Sequence, residues 1–560
     1  MMQKLPKSKY GKDEYMKKKV LPVIIVFFLI LVIAGAGLVS RYIPTGKKMD
    51  LTQYYGQPAE GEAVLVLGTE KMEQTALYAD GKAYLPLEIV NTYLNQRFYW
   101  DADNQQILYA TPSVLETYAS SDNTEAEVLV KDGNTYLSLD LVKKYTDIDS
   151  YIYEKPNRVI IQYQFEDIQT VTVTKNGKIR YQGGIKSPVL AEVPAGMKLL
   201  FLEELENWSK VATLDGYIGY IEKNKLSAAA IEKQARSFEK EEYKYIKMDE
   251  PINLVWHQVM STEANANLEN DVQNVTGVNV ISPTWFSVID NAGNISSIAS
   301  YDYVEQAHAM GMQVWGLVDN FNEAVSTTEV LSHTSSRQNL IQQLIYNAVE
   351  YGIDGINVDF EYLSEDVGIH FLQFLRELSL ECHQHNLVLS VDNPVPEDFT
   401  SHYDREEQGK VVDYVIIMGY DEHYAGSEEA GSVASLPWVE QGIIDTLEEV
   451  PAERVINAVP FYTRVWRMDA VLPYSEAVTM EVAASLLEEN NADVYWDEEL
   501  SQYYGTYEKE GSTYKVWQEE EKSIAEKVKL VKKYNLAGVA AWKLGLERSS
   551  VWQAITENLQ

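Results

Sequence analysis

The chain has 560 residues, 46% hydrophobic and 23% charged, the composition of a globular protein with more than one domain. Its 47 Lys and Arg against 84 Asp and Glu give a net charge of −37, which repels nucleic acid and anionic lipid and excludes DNA or RNA as a main partner. A single cysteine, Cys382, excludes an intrachain disulfide and lipid attachment at an N-terminal Cys.

Seven lysines within residues 4–19 precede an uncharged run over residues 20–40. Wound as a helix, such a run is long enough to cross about 30 Å of hydrocarbon. Because the lysines flank one side only, the sequence predicts a cytoplasmic tail (1–19), a transmembrane helix (20–40) and the remainder outside the cell. Ala34-Gly35-Ala36 resembles a signal cleavage site, but the run exceeds a usual signal h-region, which favours an uncleaved anchor.

Residues 41–60, with Pro44, Gly46, Gly56 and Pro58, read as a stalk. Residues 61–165 hold a repeat: "DGKAYLPLEIVNTYL" from Asp80 and "DGNTYLSLDLVKKYT" from Asp132 align at a shift of 52, matching Tyr84 to Tyr136, Leu85 to Leu137 and Leu87 to Leu139. Each copy reads as hairpin, short helix and hairpin, together a duplicated α+β module; without His or Cys, it is expected to hold no metal. Residues 168–226 read as short strands and turns, and residues 227–244 as a charged helical linker.

In residues 245–560 eight apolar segments start at 252, 278, 313, 356, 388, 414, 456 and 538, separated by amphipathic helices. Eight βα units of this length predict an α/β chain with a (β/α)8 TIM barrel. The seventh gap is 82 residues, and inside it "DVYWDEELSQYYGTYEKEGSTYKVWQ" alternates like a small antiparallel sheet, an inserted α+β subdomain.

The most informative stretch is "YGIDGINVDFEYL", residues 351–363, where Asn357, Asp359 and Glu361 alternate with Ile356, Val358 and Phe360. In a strand the polar set points into the barrel and the apolar set at the helices. Polar residues at the C-terminal end of a barrel strand sit in the active-site mouth. A nearby Asp359 charge is expected to raise the proton affinity of Glu361, making it a general acid. An acidic strand end without chemistry is the lesser reading, and Asp354, at the strand's start, is read as structural. "CHQH", Cys382 to His385, has metal-binding residue types but ends a helix with no partner cluster, so no metal or cofactor is expected.

"DGINVDFE" resembles the D-G-x-D-x-D-x-E signature of family 18 glycoside hydrolases, the chitinase-like enzymes, and the resemblance spans residues 245–560. "DYVIIMGYDEHY" is similar to the family's sixth strand, with Met418, Tyr420 and Asp421; "GVAAWKLGLE" is similar to the eighth, with Trp542. "ISPTWFSV", "WGLVDN" and "AVPFYTRVW" resemble one branch, the peptidoglycan N-acetylglucosaminidases of spore-cortex lysis and germination. The resemblance implies substrate-assisted retention, in which the substrate's acetamido carbonyl attacks and no enzyme carboxylate does. Glu361 would be the acid and later the base, Asp359 would hold the acetamido N–H and stabilise the oxazolinium, Tyr420 would bond the acetamido oxygen, and Trp542 would floor the sugar subsite.

Asn357, Asp421, Met418, Trp285, Asn320 and Tyr462 are implied as substrate contacts. Trp256, Gln258, Asp392 and Arg464 also fall near strand ends, balanced between sugar contact and packing. One position departs from the family: its second Asp is Asn357 here, and since an amide only donates or accepts hydrogen bonds, it is expected to steady an ionised Asp359. Residues 168–226, with Gly196, Trp208-Ser-Lys-Val and Gly219-Tyr220, resemble a bacterial SH3 domain. Residues 61–165 resemble the N-terminal domain of bacterial copper amine oxidases, an accessory module of wall proteins. The expected protein is therefore a single-pass cell-membrane hydrolase of β-1,4 N-acetylglucosaminyl bonds in peptidoglycan, with its catalytic domain on the wall side. The alternatives are a chitinase or chito-oligosaccharidase, and a glycan-binding protein with an inactive barrel.

Overall fold

The computed structural model describes residues 13–123, 125–468 and 472–559. The chain divides into two compact units: one takes Ser120–Glu239 with the residues before Arg97, the other Arg97–Ala119 with Lys240–Gln560.

The second unit is built on eight parallel strands: β1 (Ile252–His257), β2 (Val280–Val288), β3 (Gln313–Asp319), β4 (Gly355–Asp359), β5 (Val388–Pro394), β6 (Tyr414–Met418), β7 (Val455–Pro460) and β8 (Gly538–Trp542). Each pairs with its successor, and β1 pairs with both β2 and β8, so the sheet closes on itself. Every strand begins within two residues of its predicted start. The period-2 alternation sets the layers. Leu254, Trp256, Trp315, Leu317, Ile416 and Ala540 cluster inside the barrel. Ile356, Val358 and Phe360 join the outer core, with Leu340, Phe371 and Phe374 of the surrounding helices. Gly355 is required by the close approach of β4 to its neighbours: a Cβ there would lie 2.8 Å from Val388 O and 2.9 Å from Trp315 Cδ1. Asp354 Oδ2 accepts from Val314 N at 2.8 Å and lies 2.7 Å from His308 Nε2, a structural tether at the strand's start.

Between β7 and β8 the chain inserts a five-stranded antiparallel sheet and the helix Met480–Glu489. A buried ion pair roots this insertion. Lys527 Nζ reaches both Glu519 oxygens at 3.0 Å with both side chains fully buried, and Glu519 also accepts from Gln502 Nε2 at 2.6 Å and Ser523 Oγ at 2.8 Å.

Arg97–Ala119 lies within the predicted 61–165 module yet groups with the barrel. Polar contacts explain why: Tyr99 OH lies 2.7 Å from His370 Nδ1, Asp103 Oδ2 accepts from Thr334 N at 3.2 Å, and Arg97 pairs with Glu241.

In the first unit, Leu85 pairs with Leu137, flanked by Tyr84 with Ser138 and Pro86 with Tyr136. Leu85 and Leu137 are separated by 52 residues, the shift of the sequence repeat, so the two copies meet at equivalent positions. A separate seven-stranded sheet runs from Ile168–Thr172 to Ala230–Glu232.

Three expectations are corrected here. Residues 227–244 form no helix: Ala230–Glu232 pairs with Ile168–Thr170, and beyond it Arg236 bonds Asp149 at 2.8 and 3.0 Å and Asp147 at 2.9 Å. Its charges are satisfied by distant carboxylates, where a helix would pair them at i,i+4. Residues 41–60 are no free stalk: Asp50 caps the helix Leu51–Tyr55, and Tyr54 and Tyr55 donate to Ile218 O at 2.8 Å and Gly216 O at 3.0 Å.

The third concerns the membrane. Among the described residues no helix is long and apolar enough to cross one. The expected membrane span, the single-pass cell-membrane location and the membrane as a partner are overturned. The first twelve residues of the expected cytoplasmic tail lie outside the described residues.

Lys527→Met leaves Glu519 as a buried carboxylate without its cation. Removing one partner of such a pair costs about 3–5 kcal/mol. Urea denaturation is expected to show a loss of that order, largely recovered when Glu519→Gln is added.

Candidate active site

The site forms where β3, β4, β5 and β6 end. Asp319 is in register with Asp359, and Val358 with Val391, so the next residues, Asp359 and Asp392, stand side by side. Neighbouring strands are about 4.8 Å apart. Asp319, Asp359 and Asp392 therefore make a row across three strands, all on the interior face. Ser287 Oγ donates to Asp319 Oδ2 at 2.8 Å, and Phe321 N donates to its Oδ1 at 3.1 Å. Asp392 Oδ1 accepts from Asn357 Nδ2 at 2.8 Å. Asp359, in the middle, has its Oδ1 buried without a hydrogen-bond partner among the described residues.

Burial pushes the carboxyls of Asp359 and Asp392 well above the usual carboxylate range. For Asp359, the nearby Asp392, Glu361 and Asp319 push further in the same direction. Burial also raises Asp319.

Glu361 follows β4 by two residues. Its backbone is clamped by Asn320: Glu361 N donates to Asn320 Oδ1 at 2.9 Å, and Asn320 Nδ2 donates to Glu361 O at 3.0 Å and Thr327 Oγ1 at 3.0 Å. The chain then turns through Tyr362, exposed, at φ 54°. The Glu361 carboxyl is raised, first by burial and then by the Asp421 charge. Asp359 and Glu361 also interact: the Glu361 charge is among those that raise Asp359.

Tyr420 follows β6, and burial holds its hydroxyl well above the usual tyrosine range, with Asp359 the first charge to add to the effect. Tyr462 OH donates to Asp421 Oδ1 at 2.6 Å, and the Tyr420 and Tyr462 rings meet edge-on at 6.3 Å. Arg464 Nη2 lies 3.7 Å from the same Asp421 oxygen, and its Nε is buried without a partner among the described residues. At the end of β8 the half-buried Trp542 packs edge-on to Trp256 at 5.8 Å, and Lys543 Nζ bonds Gln258 Oε1. Met418 closes β6, half-buried.

Two expected site residues are placed differently. Trp285 is packed in the strand–helix core: it is 2% exposed, and its indole N–H is spent on Asn265 Oδ1 at 2.8 Å. Period 2 from Ile281 puts Trp285 on that outer face, and the bulge in β2 between Thr284 and Phe286 turns Phe286 outward as well. Asn357 does not steady Asp359. Its Oδ1 accepts from Trp256 Nε1 at 2.8 Å and Ser282 Oγ at 3.3 Å, and its Nδ2 donates to Ser390 Oγ at 3.1 Å and Asp392 Oδ1 at 2.8 Å. Asp319 went unread in the sequence, although "QVWGLVDN" puts it on the face of Trp315 and Leu317 by period 2. Cys382 is buried in a helix, and His383 pairs with Asp413 Oδ1 at 3.1 Å. Among the described residues no group of three His, Cys, Asp or Glu is arranged to hold a metal ion.

Residues 313–547, from β3 through β8, match the glycosyl hydrolases family 18. The chain carries a family 18 glycosidase domain. It is 26% identical over 292 residues to the "Uncharacterized glycosylase YvbX" of Bacillus subtilis, covering 50% of this chain and 84% of that protein. It is 28% identical over 241 residues to the "Cortical fragment-lytic enzyme" of the same organism, covering 41% of this chain and 55% of that protein, about half its length. Among solved structures, a chitinase from Chromobacterium violaceum superposes with a TM-score of 0.50 at 24% identity, over 55% of this chain and 99% of that one. The spore cortex-lytic enzyme SleL of Bacillus megaterium gives 0.50 at 20% identity, over 59% and 80%. These two likenesses establish the barrel fold of the family 18 domain.

The raised Asp359 carboxyl carries a cost for the fold. A folded pKa above the unfolded value means the unfolded chain binds fewer protons, so stability falls as pH rises from the unfolded value up through the folded one. Asp359→Asn is expected to raise the melting temperature at pH 7, by an increment that shrinks as pH falls toward about 4, the unfolded carboxylate value. Thermal melts over that pH range check it.

Proposed function

We propose that the family 18 domain hydrolyses β-1,4 N-acetylglucosaminyl bonds of peptidoglycan by substrate-assisted retention. The observation that carries the reading is Glu361: a carboxyl raised by burial, fixed by Asn320 at the mouth of the barrel, beside an interior row of acids. A carboxyl kept protonated near neutral pH donates a proton to a departing oxygen. In this reading Glu361 protonates the glycosidic oxygen and the C–O bond breaks as the substrate's acetamido oxygen attacks from the opposite face. Asp359 takes the acetamido N–H and stabilises the oxazolinium with its negative charge. Its unpartnered Oδ1 supports that role, because a buried acceptor without a donor is costly until a ligand supplies one. Tyr420 donates to the acetamido group and Trp542 gives the pyranose an apolar face. Glu361, now ionised, draws a proton from water, which opens the oxazolinium with the original configuration.

Asp421 raises Glu361 and orients Tyr462; Met418 and Tyr462 line the same end of β6 and β7 and complete the sugar contacts. Asn320 and Asn357 act through others, Asn320 by holding Glu361 and Asn357 by holding Asp392. The choice of peptidoglycan rests on the likeness to the cortical fragment-lytic enzyme. We read residues 61–165 as a duplicated accessory module, supported by the Leu85–Leu137 pairing, and residues 168–226 as an SH3-like wall-binding domain, supported by strand pairing of Trp208–Ala212 with Ile218–Glu222. Deleting residues 168–226 is expected to weaken pull-down on purified sacculi and to leave hydrolysis of a soluble glycan intact; equal pull-down by both proteins overturns the binding role.

Glu361→Gln preserves shape but cannot deliver a proton. General acid–base help is worth about 10²–10⁴ in rate, so hydrolysis of purified peptidoglycan is expected to fall by that order while glycan binding survives. In the wild type, rate falls at high pH as Glu361 loses its proton and at low pH as the acids around Asp359 become fully protonated, so that Asp359 can no longer ionise. Early products seen by NMR are expected to be β-anomers at a reducing-end N-acetylglucosamine. A folded Glu361→Gln protein cleaving at wild-type rate overturns the assignment, and faster cleavage of chitin than of peptidoglycan overturns the substrate.

A further inference from the structure

The row of interior acids holds one carboxyl that the mechanism above does not use. Asp392 is 2% exposed and lies on the barrel's interior face of β5, beside Asp359. Its Oδ1 accepts a hydrogen bond from Asn357 Nδ2 at 2.8 Å. Asn357 is itself fixed on every side, by Trp256, Ser282 and Ser390, so the amide aims its N–H at Asp392 without freedom to turn away. This is an oriented support for a carboxylate, built by four strands, on a group with no packing value of its own. Burying a carboxyl is expensive, and an apolar residue would fill the position at lower cost.

The geometry points to Asp392 as a positioning residue for Asp359: β5 supplies the second interior carboxylate in a place where β4 carries an amide, and Asn357 holds it there so that Asp359 and Asp392 share one proton between them. This rests on the reading of Asp359 as the group that meets the acetamido N–H. Two like charges about one strand spacing apart in a dry interior do not both ionise, so the pair titrates as a unit. Asn357, carrying only hydrogen bonds, cannot take a proton in the exchange. Its donation favours the ionised form of Asp392 and leaves the proton on Asp359, whose Oδ1 has no donor of its own. When positive charge develops on the substrate, Asp359 becomes the better anion, and Asp392 is the neighbour able to hold what it releases.

The other titratable groups facing the pair are Asp319 from β3, Glu361 beyond β4 and Tyr420 beyond β6. Asp319 accepts from Ser287 Oγ and Phe321 N, which favour its ionised form against the burial that raises it, and Tyr420 stays neutral.

The test is the pH profile of kcat for peptidoglycan hydrolysis by the full-length protein. Asp392→Asn removes the like charge, so Asp359 ionises more easily and the acid limb is expected to move down by about one pH unit or more, with KM unchanged. Asn357→Asp adds a like charge and is expected to move the limb up. The exchange variant, Asn357→Asp with Asp392→Asn, relocates the carboxylate and is expected to return the limb toward wild type. A purely structural Asp392 predicts a lower amplitude with the limb in place, and coincident limbs for folded Asp392→Asn and wild type overturn the proposal. Should Asp392→Asn fail to fold, Asn357→Asp reads the same coupling in the opposite direction, and an unmoved limb there overturns it equally. Asp359→Asn separates the two readings: if the acid limb persists in it, the role given to Asp359 fails, whatever Asp392 does.

Discussion

The barrel mouth concentrates negative charge where water is scarce. Asp319, Asp359 and Asp392 stand in one row on adjacent strands, with Glu361 just above, and burial lifts all four carboxyls. A group that must give up a proton near neutral pH needs that lift, and a group that must stabilise a cation needs the cation's arrival to be what ionises it. In the proposed mechanism, the same low dielectric that makes the row expensive makes it effective once positive charge appears inside. Stability given up at these strand ends is recovered elsewhere in the unit, in the two apolar layers of the barrel and in ion pairs such as Glu519–Lys527, where the counter-charge is present.

Polar positioning around the row is done by amides. Asn320 grips both backbone groups of Glu361, and Asn357 joins β1, β2 and β5 through one side chain. An amide suits this work because it donates and accepts at once and carries no charge to add to the row. An aspartate at 357 would set another anion beside Asp392 and withdraw the N–H that now orients it. In this chain the position usually occupied by a family carboxylate has become a bracket, and the row of acids lies across the strands as well as along β4.

The family 18 domain was legible in the sequence because the signals are local. Eight apolar runs at βα spacing gave strand starts within two residues, and the alternation of residues 356–361 assigned the faces of β4 before any partner was known. Glu361 and Asp359 are readable by the same rule, since period 2 is a property of the strand alone. Trp285 was expected at the site from its place near a strand end, whereas period 2 from Ile281 puts it on the outer face of β2, in the strand–helix core. The helical reading of residues 227–244 failed because charge spacing along a segment says nothing about Asp147 and Asp149, the distant carboxylates that hold Arg236.

The sequence by itself determined the class of barrel, the strand that leads to Glu361 and the residue types brought to the mouth, because strand periodicity and the closure of eight βα units leave few alternatives. Tertiary structure alone decided which acids are neighbours. Register between β3, β4 and β5 aligned Asp319, Asp359 and Asp392, residues up to 73 positions apart in the chain, and burial then raised their proton affinities. It also decided that Asn357 donates to Asp392, that the Asp421 charge adds to burial in raising Glu361, and that Arg97–Ala119 belongs with the barrel. These are contacts across the fold, set by distance and dielectric in three dimensions, and neither is a property of a linear chain.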